Sequence, residues 1–151
     1  MGKLNATRPL TALLISSVPE SIVVLERIFQ LRNWHLETVG TYREAITFAM
    51  RVDVPVIVCE QNLQDGDWKD VLRDFDGLTL PASLIVTSRL ADSTLWAEAL
   101  NLGAYDVLVQ PFAPDEVYRV VLLAWEHALA SRRRFPPSNS PESQLPSRKV
   151  P

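Results

Sequence analysis

The short apolar run Val56-Ile57-Val58-Cys59 stops on Glu60, and the polar, glycine-containing stretch Gln61-Asn62-Leu63-Gln64-Asp65-Gly66-Asp67 follows. A β-branched run of this length ending on an acid reads as a strand buried on both faces of a parallel sheet. It delivers a carboxylate to the carboxyl edge, where open α/β sheets place their chemistry.

The surrounding pattern alternates in the same sense. Strands are expected over Leu10–Ser16, His35–Val39, Val54–Cys59, Ser83–Thr87 and Tyr105–Val109, with helices over Pro19–Arg32, Thr41–Arg51, Asp67–Phe75, Asp92–Leu102 and Ala113–Arg134. Local chemistry marks several ends. Pro19 suits a first helical turn. Thr41 with Glu44 reads as a capping box, Asp67 as a cap, and Gly103 as a helix stop. Strand and helix in strict alternation imply a parallel sheet with helices on both faces. Five such units fit an α/β, doubly wound sheet of order 2-1-3-4-5.

Composition sets the frame for that fold. At 151 residues, 47% hydrophobic and 22% charged, the chain has the size of one domain with a tail and enough apolar content for a core of its own. The domain is expected over 9–134. From 135 to 151 the chain turns to FPPSNSPESQLPSRKVP, rich in Pro and Ser, and a disordered tail is expected there. The single cysteine, Cys59, gives no disulfide framework and reads as a buried, reduced thiol. With no run of about 18 apolar residues and no signal-like start, the cytoplasm is the expected compartment.

Charge is uneven. Residues 132–151 carry five cations against Glu142, a net of +4, so the overall −3 leaves −7 on the rest. An acidic body argues against nucleic-acid binding, which needs a basic face. The Arg132-Arg133-Arg134 triplet is what the end of a helix favours.

The expected strand ends bring Ser16, Ser17, Glu60, Thr87, Ser88 and Gln110 to one edge. Three stretches, VIVCEQNLQDGDW, LIVTSRLAD and ALNLGAYDVLVQPF, resemble the receiver domains of response regulators, the chemotaxis-regulator-like branch of flavodoxin-like folds. The resemblance covers about residues 9–131. It implies a phosphoacceptor Asp where this chain has Glu60. It implies two metal-holding acids where Ser16 and Ser17 stand, a phosphoryl-contacting Lys where Gln110 stands, and a hydroxyl that survives as Thr87. The aromatic switch of the family falls on Val107, and the peptide bond before Pro111 is expected to be cis. The expected consequence is a degenerate pocket: catalytic residues none, metal none, cofactors none. Mg²⁺ wants octahedral oxygen with carboxylate support, and phosphoryl transfer relies on metal and cation clamps. Glu60 is also about 1.5 Å longer than Asp, outside near-attack tolerance.

Other chemistries fare worse. Ser16 or Thr87 as a nucleophile lacks a base, because His35 starts a strand at the opposite edge and His127 lies late in a helix. The Ser16–Ser21 loop has no glycine to cradle a phosphate, and Glu20 opposes an anion at the helix start. Asp65, Asp67 and Asp70 lack a calcium-loop pattern.

With the pocket silent, function moves to a surface. The last helix carries more apolar residues than one stripe needs, and Trp96 falls off its helix's stripe. Trp96, Val107, Tyr118, Val120 and Leu123 are therefore expected on a partner surface formed by the fourth helix, fifth strand and fifth helix. The expected protein is a stand-alone, atypical receiver of a two-component-type system. It would be no enzyme, bind a kinase, an output protein or a second copy, and touch neither nucleic acid nor membrane. The rival readings are a still phosphorylatable regulator with a relaxed site, and a small-molecule-binding module of the same topology.

Overall fold

The computed structural model describes residues 9–78, 80–90 and 92–134. In chain order the elements are β1 (Thr11–Ile15), α1 (Pro19–Gln30), β2 (His35–Val39), α2 (Tyr42–Ala49), β3 (Val56–Glu60), β4 (Asn62–Leu63), β5 (Gly66–Asp67), α3 (Trp68–Leu78), β6 (Ser83–Ser88), α4 (Ser93–Leu102), β7 (Asp106–Val109) and α5 (Pro114–Arg134). The main sheet runs β2-β1-β3-β6-β7, parallel throughout. This is the expected 2-1-3-4-5 order. The expected tail lies outside the described residues.

Period-two alternation divides the strands between two cores. Leu13, Ile15, Ile57, Cys59, Val86 and Val107 face α2, α3 and α4, meeting Ala45, Ala49, Trp68, Val71, Phe75, Leu95 and Ala99. Their neighbours Ala12, Leu14, Val56, Val58, Ile85 and Leu108 face α1 and α5, meeting Leu25, Ile28, Phe29, Val117, Val121 and Ala124. Every residue of β3 and β6 is buried, so each apolar side chain there contributes about 1.5–3 kcal/mol.

The helix ends follow sequence chemistry closely. Thr41 Oγ1 accepts from Glu44 N–H at 3.0 Å, and Glu44 Oε1 accepts from Gly40 N–H at 2.8 Å. The reciprocal bond thus lands one residue before the cap. Asp67 Oδ1 accepts from the N–H groups of Lys69 and Asp70, while Asp70 Oδ2 accepts from Asp67 N–H. Asp92 accepts from Leu95 N–H at 2.9 Å. Gly103 closes α4 with φ of 110°, a left-handed conformation that favours glycine.

Helix α5 departs from expectation. Val107 and Val120 are fully buried, at 0% and 1% exposure, and belong to the two cores rather than to a surface. Tyr118 faces α1: its hydroxyl donates to the Ile28 carbonyl at 3.2 Å, Trp34 meets its edge, and the Arg32 guanidinium lies 4.0 Å from its ring centre. Trp96 is half-buried and packs on the α2–α3–α4 core. Of the five expected surface residues, Leu123 alone is exposed, at 43%. Helical periodicity locates a buried stripe but not which flank meets which neighbour.

At its far end α5 is pinned to the amino edge of the sheet. Arg132 grips Asp53 through both terminal nitrogens, at 2.8 and 2.9 Å, and its Nε donates to the Pro81 carbonyl at 2.8 Å. Midway along, the buried Ser83 hydroxyl donates to the Ala124 carbonyl at 2.8 Å.

Candidate functional site

Parallel pairing in register places the ends of β1, β3, β6 and β7 side by side, with Glu60 opposite Thr87. The chain leaves β7 through a cis Gln110-Pro111 bond, as expected. Ser16, Glu60, Thr87 and Gln110 converge there, and all four are buried.

Gln110 organises the cluster. Its Nε2 donates to both oxygens of Glu60, at 3.2 and 3.1 Å, and to Thr87 Oγ1 at 3.1 Å. Its Oε1 accepts from the Ser21 hydroxyl at 2.8 Å. Ser16 Oγ donates to Glu60 Oε2 at 3.1 Å and accepts from Val18 N–H. Glu60, 9% exposed, is therefore held by neutral donors. A buried carboxylate needs such donors to stay ionised.

One expected participant stands elsewhere: Ser17 is exposed and outside the network. Arg89, just past the end of β6, lies 3.7 Å from Glu20, with both side chains mostly in solvent. Conversely, Ser21, which the sequence marks only as the end of the Ser16–Ser21 loop, joins the cluster through Gln110. A serine on the buried stripe of a helix that starts at this edge was the available signal.

Around the cluster the loops are tied down. Ser88 Oγ donates to Gln61 Oε1 at 2.8 Å and accepts from Leu90 N–H. Asp65 accepts from the first two N–H groups of α2, Tyr42 at 2.8 Å and Arg43 at 3.0 Å. The Tyr42 hydroxyl donates to the Asp74 carboxylate on α3. The β4–β5 hairpin between Glu60 and α3 was not expected from the sequence; two-residue strands carry no periodicity to read.

Cys59 points away from this edge into the α2–α3–α4 core. Burial pushes its thiol well above the ordinary value of 9.0, and the nearby Glu60 and Asp67 carboxylates add to that. It is a protonated core side chain rather than a nucleophile.

A divalent cation fits this donor set poorly. It would meet one carboxylate whose oxygens already accept three hydrogen bonds, beside hydroxyls and an amide, where octahedral Mg²⁺ relies on one or two free carboxylates to hold it among its waters. Among the described residues, no three His, Cys, Asp or Glu side chains gather to hold a metal. No described helix is long and apolar enough to cross a membrane.

The solved signal receiver domain of a LuxO repressor protein from Vibrio parahaemolyticus superposes with a TM-score of 0.75, covering 85% of this chain and 98% of that one at 22% identity. The chain folds as a receiver domain. In sequence it is similar to the transcriptional regulatory protein KdpE of Mycobacterium tuberculosis, 31% identical over 104 residues, 69% of this chain and 46% of that protein. It is also similar to a probable transcriptional regulatory protein, y4xI, of Sinorhizobium fredii, 33% identical over 84 residues, 54% of this chain and 36% of that protein. The chain thus spans less than half the length of the curated relatives it matches. No family model matches it.

Proposed function

We propose that this chain is an atypical receiver of two-component-type signalling that works through protein contacts, without phosphorylation of its own and without enzymatic activity. One observation carries the reading: the Gln110 amide is bonded at once to Glu60, Thr87 and Ser21. A phosphoryl acceptor has to present a free oxygen in line with its donor. Glu60 instead has both oxygens engaged, one of them twice. Among the described residues its hydrogen-bond donors are the neutral Ser16 and Gln110, and the position that implies a swinging aromatic is the core residue Val107. A two-state equilibrium is biased only by differential contacts, so a pocket without those contacts supports a constant surface.

The surface we assign is the flank of α4 and α5 that borders β7. It carries Trp96, half-buried, Leu100 one turn further along α4 at 51% exposure, and Leu123 at 43%. Exposed aliphatics beside an indole suit the apolar centre of a protein interface, with a kinase, an output protein or a second copy as the partner.

Incubation with acetyl phosphate and Mg²⁺, followed by intact-mass measurement, tests the reading. The expected result is unmodified protein. A phosphoryl adduct on Glu60 would overturn it in favour of a relaxed but active acceptor.

A further inference from the structure

Beside the Gln110 cluster lies a cavity of about 570 Å³ that the signalling reading does not use. Three segments line it: Glu20, Ser21 and Val24 of α1, Arg89 after β6, and Gln110, Pro111 and Phe112 after β7. Its size falls in the range of small-molecule sites.

The floor and the rim differ in kind. At the floor, Ser21 and Gln110 are bonded to each other and to the Glu60 cluster, so they leave a ligand little polar demand. Val24, Pro111 and Phe112 supply an apolar wall. The rim holds both charges. Arg89 and Glu20 face each other at 3.7 Å, 63% and 82% exposed. So exposed and long a pair is weakly held, and either partner can turn to another ion at small cost.

This charge pattern selects a ligand class. A simple anion would gain Arg89 and oppose Glu20; a simple cation would do the reverse. A molecule carrying both charged groups on one carbon satisfies both, because the two rim groups are themselves close together. An apolar body then fills the space over Val24 and Phe112. We propose that this cavity binds a free α-amino acid with a hydrophobic side chain, its carboxylate on Arg89 and its ammonium on Glu20. The site adjoins the Gln110 amide that ties the buried cluster together. The proposal does not depend on whether Glu60 can be phosphorylated.

Calorimetric titration of the full chain with L-phenylalanine and L-leucine tests it, alongside 3-phenylpropionate, which lacks the ammonium, and phenethylamine, which lacks the carboxylate. The side-chain amide resonance of Gln110 reports the location. The expected result is saturable amino-acid binding that shifts that resonance, with both analogues weaker by about tenfold or more. Arg89→Ala and Glu20→Ala should each weaken binding by a similar factor. Both residues are exposed, so circular dichroism and the melting temperature should stay unchanged. Absence of binding at about 10 mM, well above a millimolar Kd, would overturn the proposal. So would analogues that bind as well as the amino acid, or rim variants that bind normally.

Discussion

The two edges of the sheet each immobilise one acid, by opposite means. At the carboxyl edge Glu60 is buried and held by a serine and a glutamine, both neutral. At the amino edge Asp53 is 40% exposed and gripped in fork geometry by Arg132. Deep burial makes a lone charge costly and a paired one no bargain, so the interior cluster relies on hydrogen bonds. Near solvent an arginine clamp keeps its charge at little desolvation cost and ties three segments together.

The comparison breaks most sharply at Gln110. Gln110→Leu leaves Ser21 and Thr87 without their amide partner and Glu60 with Ser16 alone. The expected loss is about 2–4 kcal/mol in chemical denaturation. Combining it with Glu60→Leu should recover part of that loss, since the uncompensated carboxylate goes too; strictly additive losses would mean the two side chains are uncoupled. At the other edge Arg132→Ala should cost less, about 1–2 kcal/mol, because water can replace the fork at a half-exposed acid. Its effect should shrink in high salt, while that of Gln110→Leu should not.

Cys59 sharpens the contrast through pH. Its folded thiol ionises above the ordinary value of 9.0, so below that value both states hold the proton. Above it the unfolded chain releases the proton first, and stability falls by about 1.4 kcal/mol per pH unit. Wild type should therefore lose more stability than Cys59→Ala between pH 8 and pH 10; parallel loss in the two would show a thiol open to solvent. The smallest expected effect on folding is at the proposed partner surface. Leu123→Glu should move stability by no more than about 0.5 kcal/mol yet abolish self-association or partner capture in sedimentation. If wild type stays monomeric at high concentration and no partner contact responds to the change, the α4–α5 flank is not the interface.

Much of this was legible in the chain. VIVC and LIVT announced strands buried on both faces, and Thr41, Asp67 and Gly103 set helix ends by local chemistry. The convergence of Ser16, Glu60, Thr87 and Gln110 followed from topology alone. Orientation was not legible. Arg89 lies two residues beyond Thr87 yet turns to Glu20, and Tyr118 turns to α1, because a long side chain answers to neighbours remote in sequence. Val107 and Val120 were placed on the surface since a helix or strand rich in aliphatics does not say how many of its flanks are covered. Ser21 escaped notice because a hydroxyl on a buried stripe gains meaning only when its acceptor, 89 residues away, is known.

Asp65 carries a consequence for motion. By accepting from the two leading amides of α2, it fastens the turn that follows Glu60 to a helix from the preceding unit, and Tyr42 extends the fastening to α3. The turn and the two helices should move as one body. In hydrogen–deuterium exchange the Tyr42 and Arg43 amides, normally among the first of a helix to exchange, should label as slowly as mid-helix positions. Asp65→Ala should release them together and speed labelling around the hairpin, while exchange in α5 keeps its own pace.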